Sequence, residues 1–322
     1  MNRPEVLLVG TMASQLLADL EAHFTVHVLS QRENQASWLE TNAREIRAIA
    51  TGGADKLPVS VMDAMKKLSI ISCYGVGYDG IDARLAADRN ILVSHTPGVL
   101  DNEVADTAIA LLLATTRRIV AQDRYVREGL WESMGAAPLT RGLAGKKVGI
   151  LGFGRIGQAI ARKLSVFECD IAYHARNARP DAAIRYFDSL QPLALWSDIL
   201  IVITPGGTAT HHLVNRDILE ALGPQGTLIN VARGSVVDEP ALIAALQEGR
   251  LGAAGLDVFE NEPHVPTALM SMDNVVLLPH VGSATEETRA AMRKLTVDNL
   301  VSWFSTGKVI TPVPECRHLQ ET

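Results

Sequence analysis

Along the first hundred positions, short, mostly apolar β-type runs alternate with stretches whose apolar residues recur every three or four places. The runs at 6–9, 46–51, 68–74 and 91–95 have the length and β-branched content of buried strands, and the stretches between them have the spacing of amphipathic helices. This βαβ rhythm implies a parallel sheet covered by its crossover helices. The pattern changes after His95. Thr96-Pro97-Gly98 joins a residue of fixed φ to one of free φ, and Asp101-Asn102-Glu103 then supplies side chains that cap a helix start. The spacing predicts a domain hinge here and a long helix to about Val120. Residues 124–140 have weak periodicity and contain Gly129, Trp131, Gly135 and Pro138, so they are predicted to form an irregular arm that leaves the domain body.

A second series opens at Lys147, with strands predicted at 148–151, 170–174, 199–203, 227–231, 253–258 and 275–278 and helices between them. Six such strands suit a doubly wound nucleotide-binding sheet. A helical pattern then runs from about Thr285 to Phe304, followed by an extended, Pro-broken tail at 310–314. The first sheet has an open face to cover, so the last helix is predicted to return to it.

The fold class read from this pattern is α/β. It has two doubly wound parallel-sheet domains, the first spanning 1–98 and completed by 286–322. The second, 99–285, is inserted in it and carries the arm. Composition agrees with a packed interior: 47% of residues are apolar, 20% charged and 5% aromatic. A formal charge of −6, with no long basic run, argues against nucleic acid as a partner. The most apolar long stretch, 104–114, is broken by Asp106 and Thr107, so no membrane span is predicted. Cys73, Cys169 and Cys316 are odd in number and far apart, which suits a reducing, cytoplasmic setting, and the N-terminus shows no basic leader.

Gly152-Phe153-Gly154-Arg155-Ile156-Gly157 follows one predicted strand and opens a helix. A lone GxGxxG is weak evidence, but strand, loop and helix here stand in the order that lets helix N–H groups cradle a pyrophosphate. The second domain is therefore expected to be a Rossmann dinucleotide-binding domain. An NAD site would place an acid roughly 20 residues on, against the ribose 2′-hydroxyl. The chain instead reads Tyr173-His174-Ala175-Arg176-Asn177-Ala178-Arg179-Pro180, with no acid before Asp181. Arg176 and Arg179 offer charged forks for a 2′-phosphate, so NADP(H) is expected over NAD(H), with NAD(H) still usable. A solvated basic turn is the plainer alternative.

Three further motifs fall at the C-terminal ends of predicted strands, where open parallel sheets build their crevice. They are Val231-Ala232-Arg233-Gly234, the run Gly255 to Pro263 containing Asp257 and Glu262, and the run Leu278 to Thr285 containing His280 and Gly282. In this order behind a GxGxxG, they resemble the D-isomer-specific 2-hydroxyacid dehydrogenase family over nearly the whole chain. Within it the chain looks most like the glyoxylate/hydroxypyruvate reductases and their hydroxyphenylpyruvate-reducing relatives. Supporting stretches are Tyr74 to Asp82, the helix from Val104 to Arg118, and Asp238-Glu239-Pro240.

The resemblance implies NADPH-dependent reduction of a small 2-oxo acid to the D-2-hydroxy acid by a homodimer. His280 would be the proton donor, Glu262 its carboxylate partner and Arg233 the clamp on substrate oxygens. It further implies that Thr51, Gly52, Val76 and Gly77 cradle the substrate carboxylate between the domains. Asp257 would contact the nicotinamide amide, and Thr204, Pro205, Val231 and Gly282 would line the cofactor. Trp131 is expected either to anchor the dimer or to cross the two-fold axis and close the partner's substrate pocket. Ala54-Asp55 and Cys73-Tyr74, beside the cradle, do not reveal the substrate side chain. Glyoxylate and hydroxypyruvate rank first, ahead of 2-ketogluconate and arylpyruvates. Formate-oxidising relatives pair the histidine with Gln, whereas Glu262 stands here. A dinucleotide-sensing corepressor on the same body is the alternative from another class. No metal is expected: His211-His212 reads as a solvated helix start, because adjacent helical residues do not face one ion.

Overall fold

The structure is a computed structural model that describes residues 3–10, 14–53 and 55–320, so Ala54 of the cradle loop lies outside the described residues. The chain divides into two compact units, Met1–Leu100 with Thr285–Thr322, and Asp101–Ala284. Both are parallel-sheet α/β units, in agreement with the fold class read from the sequence.

In the first unit the strands are β1 (Glu5–Val9), β2 (Thr25–Val28), β3 (Ala48–Gly52), β4 (Ile70–Tyr74) and β5 (Leu92–Ser94). They lie in the order β2-β1-β3-β4-β5, all parallel. β3 is buried throughout, as a strand covered on both faces must be, which is why it reads as a continuous apolar run. β2 went unread because it is a short edge strand whose residues, Thr-Val-His-Val, are only half-buried. The Glu286–Thr306 helix lies on this sheet, where Ser72 Oγ of β4 donates to the Thr296 carbonyl at 2.9 Å. The tail then runs beside β5: His95 N donates to Thr311 O and Val313 N to Val93 O.

The second unit has seven strands, one more than predicted: β6 (Lys147–Leu151), β7 (Asp170–His174), β8 (Arg185–Phe187), β9 (Ile199–Val202), β10 (Thr227–Asn230), β11 (Ala253–Leu256) and β12 (Val275–Leu277). Their order is β12-β11-β10-β9-β6-β7-β8. The extra strand, β8, is a three-residue edge with no apolar run to announce it. The Asp101–Thr116 helix packs so closely on β11 that a Cβ at Gly255 would fall 2.6 Å from Thr115 Oγ1. Because every strand is parallel, the loops after β6, β7, β9, β10, β11 and β12 emerge on one edge.

The arm corrects the sequence reading twice. The helix from Asp101 stops at Thr116, short of Val120, because Arg118 takes a left-handed φ of 50°. Of the predicted irregular segment 124–140, only 135–140 are irregular as expected, and its first part is helical: Ile119–Arg127 and Leu130–Met134 are separated by Gly129 at φ 70° and ended by Gly135 at φ 82°. Their apolar side chains are not buried within the unit, so no burial pattern enforces a helical period. Among the described residues, no helix is long and apolar enough to cross a membrane.

Candidate active site

The glycine loop joins β6 to the Arg155–Leu164 helix, and Gly152 and Gly157 each have a steric reason within the chain. Gly152 has φ 100°, and a Cβ there would lie 2.8 Å from Thr204 N. At Gly157 a Cβ would fall 2.3 Å from Gly152 O, so the helix can approach its own loop only without one. At Gly154 a Cβ would meet nothing within 4 Å. The outer face of the loop is therefore open where the first-turn N–H groups of Arg155, Ile156 and Gly157 point away from the helix, which fits a dinucleotide pyrophosphate. Arg155 itself pairs with Asp101 at 3.1 Å.

Beyond β7, Arg176, Asn177 and Arg179 are all exposed in the turn before β8. The turn is held by Tyr173 Oη, which accepts from Arg179 N at 2.7 Å, and the buried Tyr173 ring stacks on Phe153 of the glycine loop at 3.9 Å. This stacked pair couples the loop to the basic turn, and nothing in the sequence marks it beyond two aromatics near separate strand ends. After β9, Ile203 and Thr204 border Gly152, and the carbonyl of the next residue, Pro205, accepts from Thr210 Oγ1. Val231 is buried at the end of β10.

Three loops bring Arg233, Glu262, His280 and Asp257 together. Arg233 sits in a turn held from within by buried Asn230, whose Nδ2 donates to Arg233 O and whose Oδ1 accepts from Ala232 N. Sequence reasoning passed over Asn230, although a buried amide ending a strand is a recognisable turn support. Gly234 packs its Cα against the next loop, since a Cβ would lie 1.9 Å from the Phe259 carbonyl carbon. That contact sets the Arg233 turn against the segment bearing Glu262.

Glu262 Oε1 accepts from Phe259 N at 3.0 Å, and Oε2 faces His280 Nδ1 at 2.7 Å. Burial pushes the Glu262 carboxyl up, but the His280 hydrogen bond and charge, the Phe259 N–H and Arg233 outweigh it and hold the group below the usual range. It is therefore a carboxylate at neutral pH. With Nδ1–H donating to Glu262, His280 keeps Nε2 for another partner, and its side chain is 38% exposed. His280 has φ 52°. Asp257 imposes this turn: its carbonyl accepts from His280 N, and its carboxylate accepts from Val281 N and Gly282 N. Both oxygens are thus engaged by protein, with lone pairs left for a further donor. Burial raises the Asp257 pKa and those two N–H groups pull it partly back.

In the first unit, Thr51 and Gly52 end β3 beside the Gly75–Gly80 turn. A Cβ at Gly53 would fall 1.9 Å from Gly77 O, and Gly80 N donates to Gly53 O. His95 holds the same turn through Nδ1 and the Val76 carbonyl at 2.9 Å. Thr51, Gly52, Val76 and Gly77 are so gathered in one glycine-lined turn pair. Trp131, on the arm of the second unit, is 64% exposed. The His211-His212 segment is not the predicted helix start. His211 is extended, His212 has φ 50°, and the next helix begins only at Arg216.

Residues 109–282 match the family model described as D-isomer specific 2-hydroxyacid dehydrogenase, NAD binding domain. The chain is 45% identical over 312 residues to a 2-ketogluconate reductase of Gluconobacter oxydans, covering 97% of this chain and 99% of that one. It is 44% identical over 308 residues to a hydroxyphenylpyruvate reductase of Plectranthus scutellarioides, covering 96% and 98%. Among solved structures, an NADPH-dependent glyoxylate/hydroxypyruvate reductase from Sinorhizobium meliloti, in complex with NADP and malonate, superposes with a TM-score of 0.93 at 49% identity, covering 98% of both chains.

Proposed function

The chain belongs to the D-isomer-specific 2-hydroxyacid dehydrogenase family, and from that premise we propose that it reduces a small 2-oxo acid, of the glyoxylate or hydroxypyruvate type, to the D-2-hydroxy acid with NADPH. The observation that carries this reading is the 2.7 Å pair of His280 and Glu262, with the Arg233 turn packed against the loop that bears Glu262. NADPH, when bound, supplies the hydride that adds to C2.

The forming alkoxide needs a proton, and His280 Nε2 is the atom free to give it while Nδ1 is held by Glu262. Glu262 stabilises the imidazolium that donates and fixes the ring's orientation. Arg233 holds the substrate carboxylate and carbonyl oxygen in a planar fork and polarises the carbonyl. Asp257 keeps the His280 turn in register and has lone pairs left for a carboxamide. In the first unit, the end of β3 at Thr51-Gly52 and the Val76-Gly77 turn would offer main-chain N–H groups as a carboxylate cradle. Gly152, Gly154, Arg155, Ile156 and Gly157 would hold the pyrophosphate. Thr204, Pro205, Val231 and Gly282 line the nicotinamide side. Arg176, Asn177 and Arg179 receive the 2′-phosphate, and the NADP named for the Sinorhizobium structure supports that preference.

The relatives named for 2-ketogluconate and hydroxyphenylpyruvate support those acids as the second choice. We place the enzyme in the cytoplasm, where Cys73, Cys169 and Cys316 stay reduced thiols outside any disulfide, and as a homodimer joined through the arm. Glyoxylate, hydroxypyruvate, 2-ketogluconate and 4-hydroxyphenylpyruvate, each assayed with NADPH and NADH, test the reading through kcat/KM. The two-carbon and three-carbon acids with NADPH are expected to lead. Tight dinucleotide binding with no turnover of any acid would favour a sensing role instead.

A further inference from the structure

His211 and His212 would diverge by about 100° on a regular helix. Here the extended backbone at His211 and the left-handed one at His212 bring both rings to the same side, stacked at 3.9 Å and 27°. Glu260, from the loop leading to Glu262, completes the group: its Oε1 lies 2.9 Å from His212 Nε2. One donor atom from each of the three residues lies within 4.8 Å of the other two. No other group of three such side chains occurs among the described residues.

Two imidazole nitrogens and one carboxylate oxygen suit a late first-row divalent ion such as Zn²⁺, Ni²⁺ or Cu²⁺ far better than Ca²⁺ or Mg²⁺. Ligand bonds of about 2.0 to 2.2 Å set neighbouring donors roughly 3.0 to 3.4 Å apart around such an ion. The edge between His212 and Glu260 already has nearly that length, and the ion would take the place of the proton now shared along it. His211 is exposed and has only to turn its ring by about 1 to 2 Å to close the set, since rotamer changes at exposed side chains are fast. The fourth position is left to water.

We propose that His211, His212 and Glu260 form a three-donor site for a late first-row divalent cation. The site ties together three loops. Thr210 Oγ1 donates to Pro205 O, His212 N donates to Ser235 O two residues after Arg233, and Glu260 stands two residues before Glu262. A bound ion therefore stiffens the segments around the acid–base pair without touching it.

Calorimetric titration of the chelator-treated protein with Zn²⁺ tests this, together with the melting temperature with and without the ion. One Zn²⁺ per chain is expected, with a raised melting temperature. His211→Ala and Glu260→Gln should each weaken binding at least about 10-fold, the lower end of what loss of a mere supporting residue costs a metal site. His211 is exposed, so its variant should melt like the parent when metal-free. His212→Asn, chosen because Asn tolerates a left-handed backbone, should abolish binding when combined with His211→Ala. Cu²⁺ bound to the parent should show two nitrogen ligands in its electron paramagnetic resonance spectrum. Undiminished Zn²⁺ binding in the variants, or neither heat nor a melting shift at submillimolar Zn²⁺, overturns the proposal.

Discussion

Asp257 holds His280 by its backbone and leaves the ring free: the Asp257 carbonyl accepts the His280 N–H at 2.8 Å, and its carboxylate takes the next two N–H groups, of Val281 and Gly282. A histidine at φ 52° sits where an L side chain costs about 1–2 kcal/mol. Three hydrogen bonds from one buried residue over-determine that conformation and deliver the ring to Glu262.

Asp257→Asn sets an amide donor against one of those N–H groups. It is expected to destabilise the protein by about 1–3 kcal/mol, the cost of a buried unsatisfied donor, and to lower kcat as the His280 turn loosens. The deficit should also depend on pH. Burial raises the Asp257 pKa, so the folded state binds this proton more tightly than the unfolded chain. The group's contribution to stability is then largest below the ordinary carboxyl pKa of about 4 and falls as pH rises through the raised folded value. Asn does not titrate, so the gap between parent and variant in urea unfolding should narrow with rising pH. A gap that widens would overturn this account.

His280 and Glu262 are expected to act as one unit. His280→Ala should lower kcat by about 10² to 10⁴ and leave dinucleotide affinity, read by fluorescence titration, unchanged. Glu262→Gln alone should lower kcat less, because the amide oxygen can still accept from Phe259 N. The double variant should lose little beyond His280→Ala. Additive losses would mean that Glu262 works on substrate independently of His280.

Much of this architecture is legible in the sequence because parallel sheets bury both faces. Strands such as β3 and β9 are continuous apolar runs, and their ends fall within two residues of the expected positions. What escaped has little burial to record it. β2 and β8 are short edges, and the helices of the arm keep Val126, Trp131 and Met134 in solvent. In the site, glycines and charged residues at strand ends advertised Gly152, Arg233 and His280. The residues that hold them, such as Asn230 and the Phe153–Tyr173 stack, act through contacts between loops far apart in sequence. The His211–His212–Glu260 group was hidden for the same reason: the two rings diverge on a helix and stack here with His212 at a positive φ.

The basic turn after β7 should set cofactor choice. Arg176 and Arg179 are exposed, so each charged hydrogen bond to a 2′-phosphate is placed at the low end, about 1.5 kcal/mol. Arg176→Ala with Arg179→Ala should lower kcat/KM for NADPH by roughly 100-fold and change the value for NADH little. Equal losses with both cofactors would show that the turn acts only on the shape of the site.

Trp131 stands at 64% exposure among other uncovered apolar residues of the arm, with Met134 at 71% and Leu139 at 98%. A stretch of 119–139 that exposes so much apolar surface is what a self-association face looks like in one isolated copy. Aromatic anchors dominate such faces, so Trp131→Ala should cost about 2 kcal/mol or more of association, roughly 30-fold in the dimer dissociation constant. Sedimentation velocity over a concentration series measures that shift. The same samples should be assayed against small and bulky 2-oxo acids above and below the new dissociation constant. If Trp131 only anchors the dimer, relative kcat/KM values stay as in the parent wherever dimer remains. If it reaches the partner's substrate pocket, discrimination between the small and bulky acids changes even where the dimer is intact. An unshifted dissociation constant with unchanged discrimination would remove Trp131 from both roles.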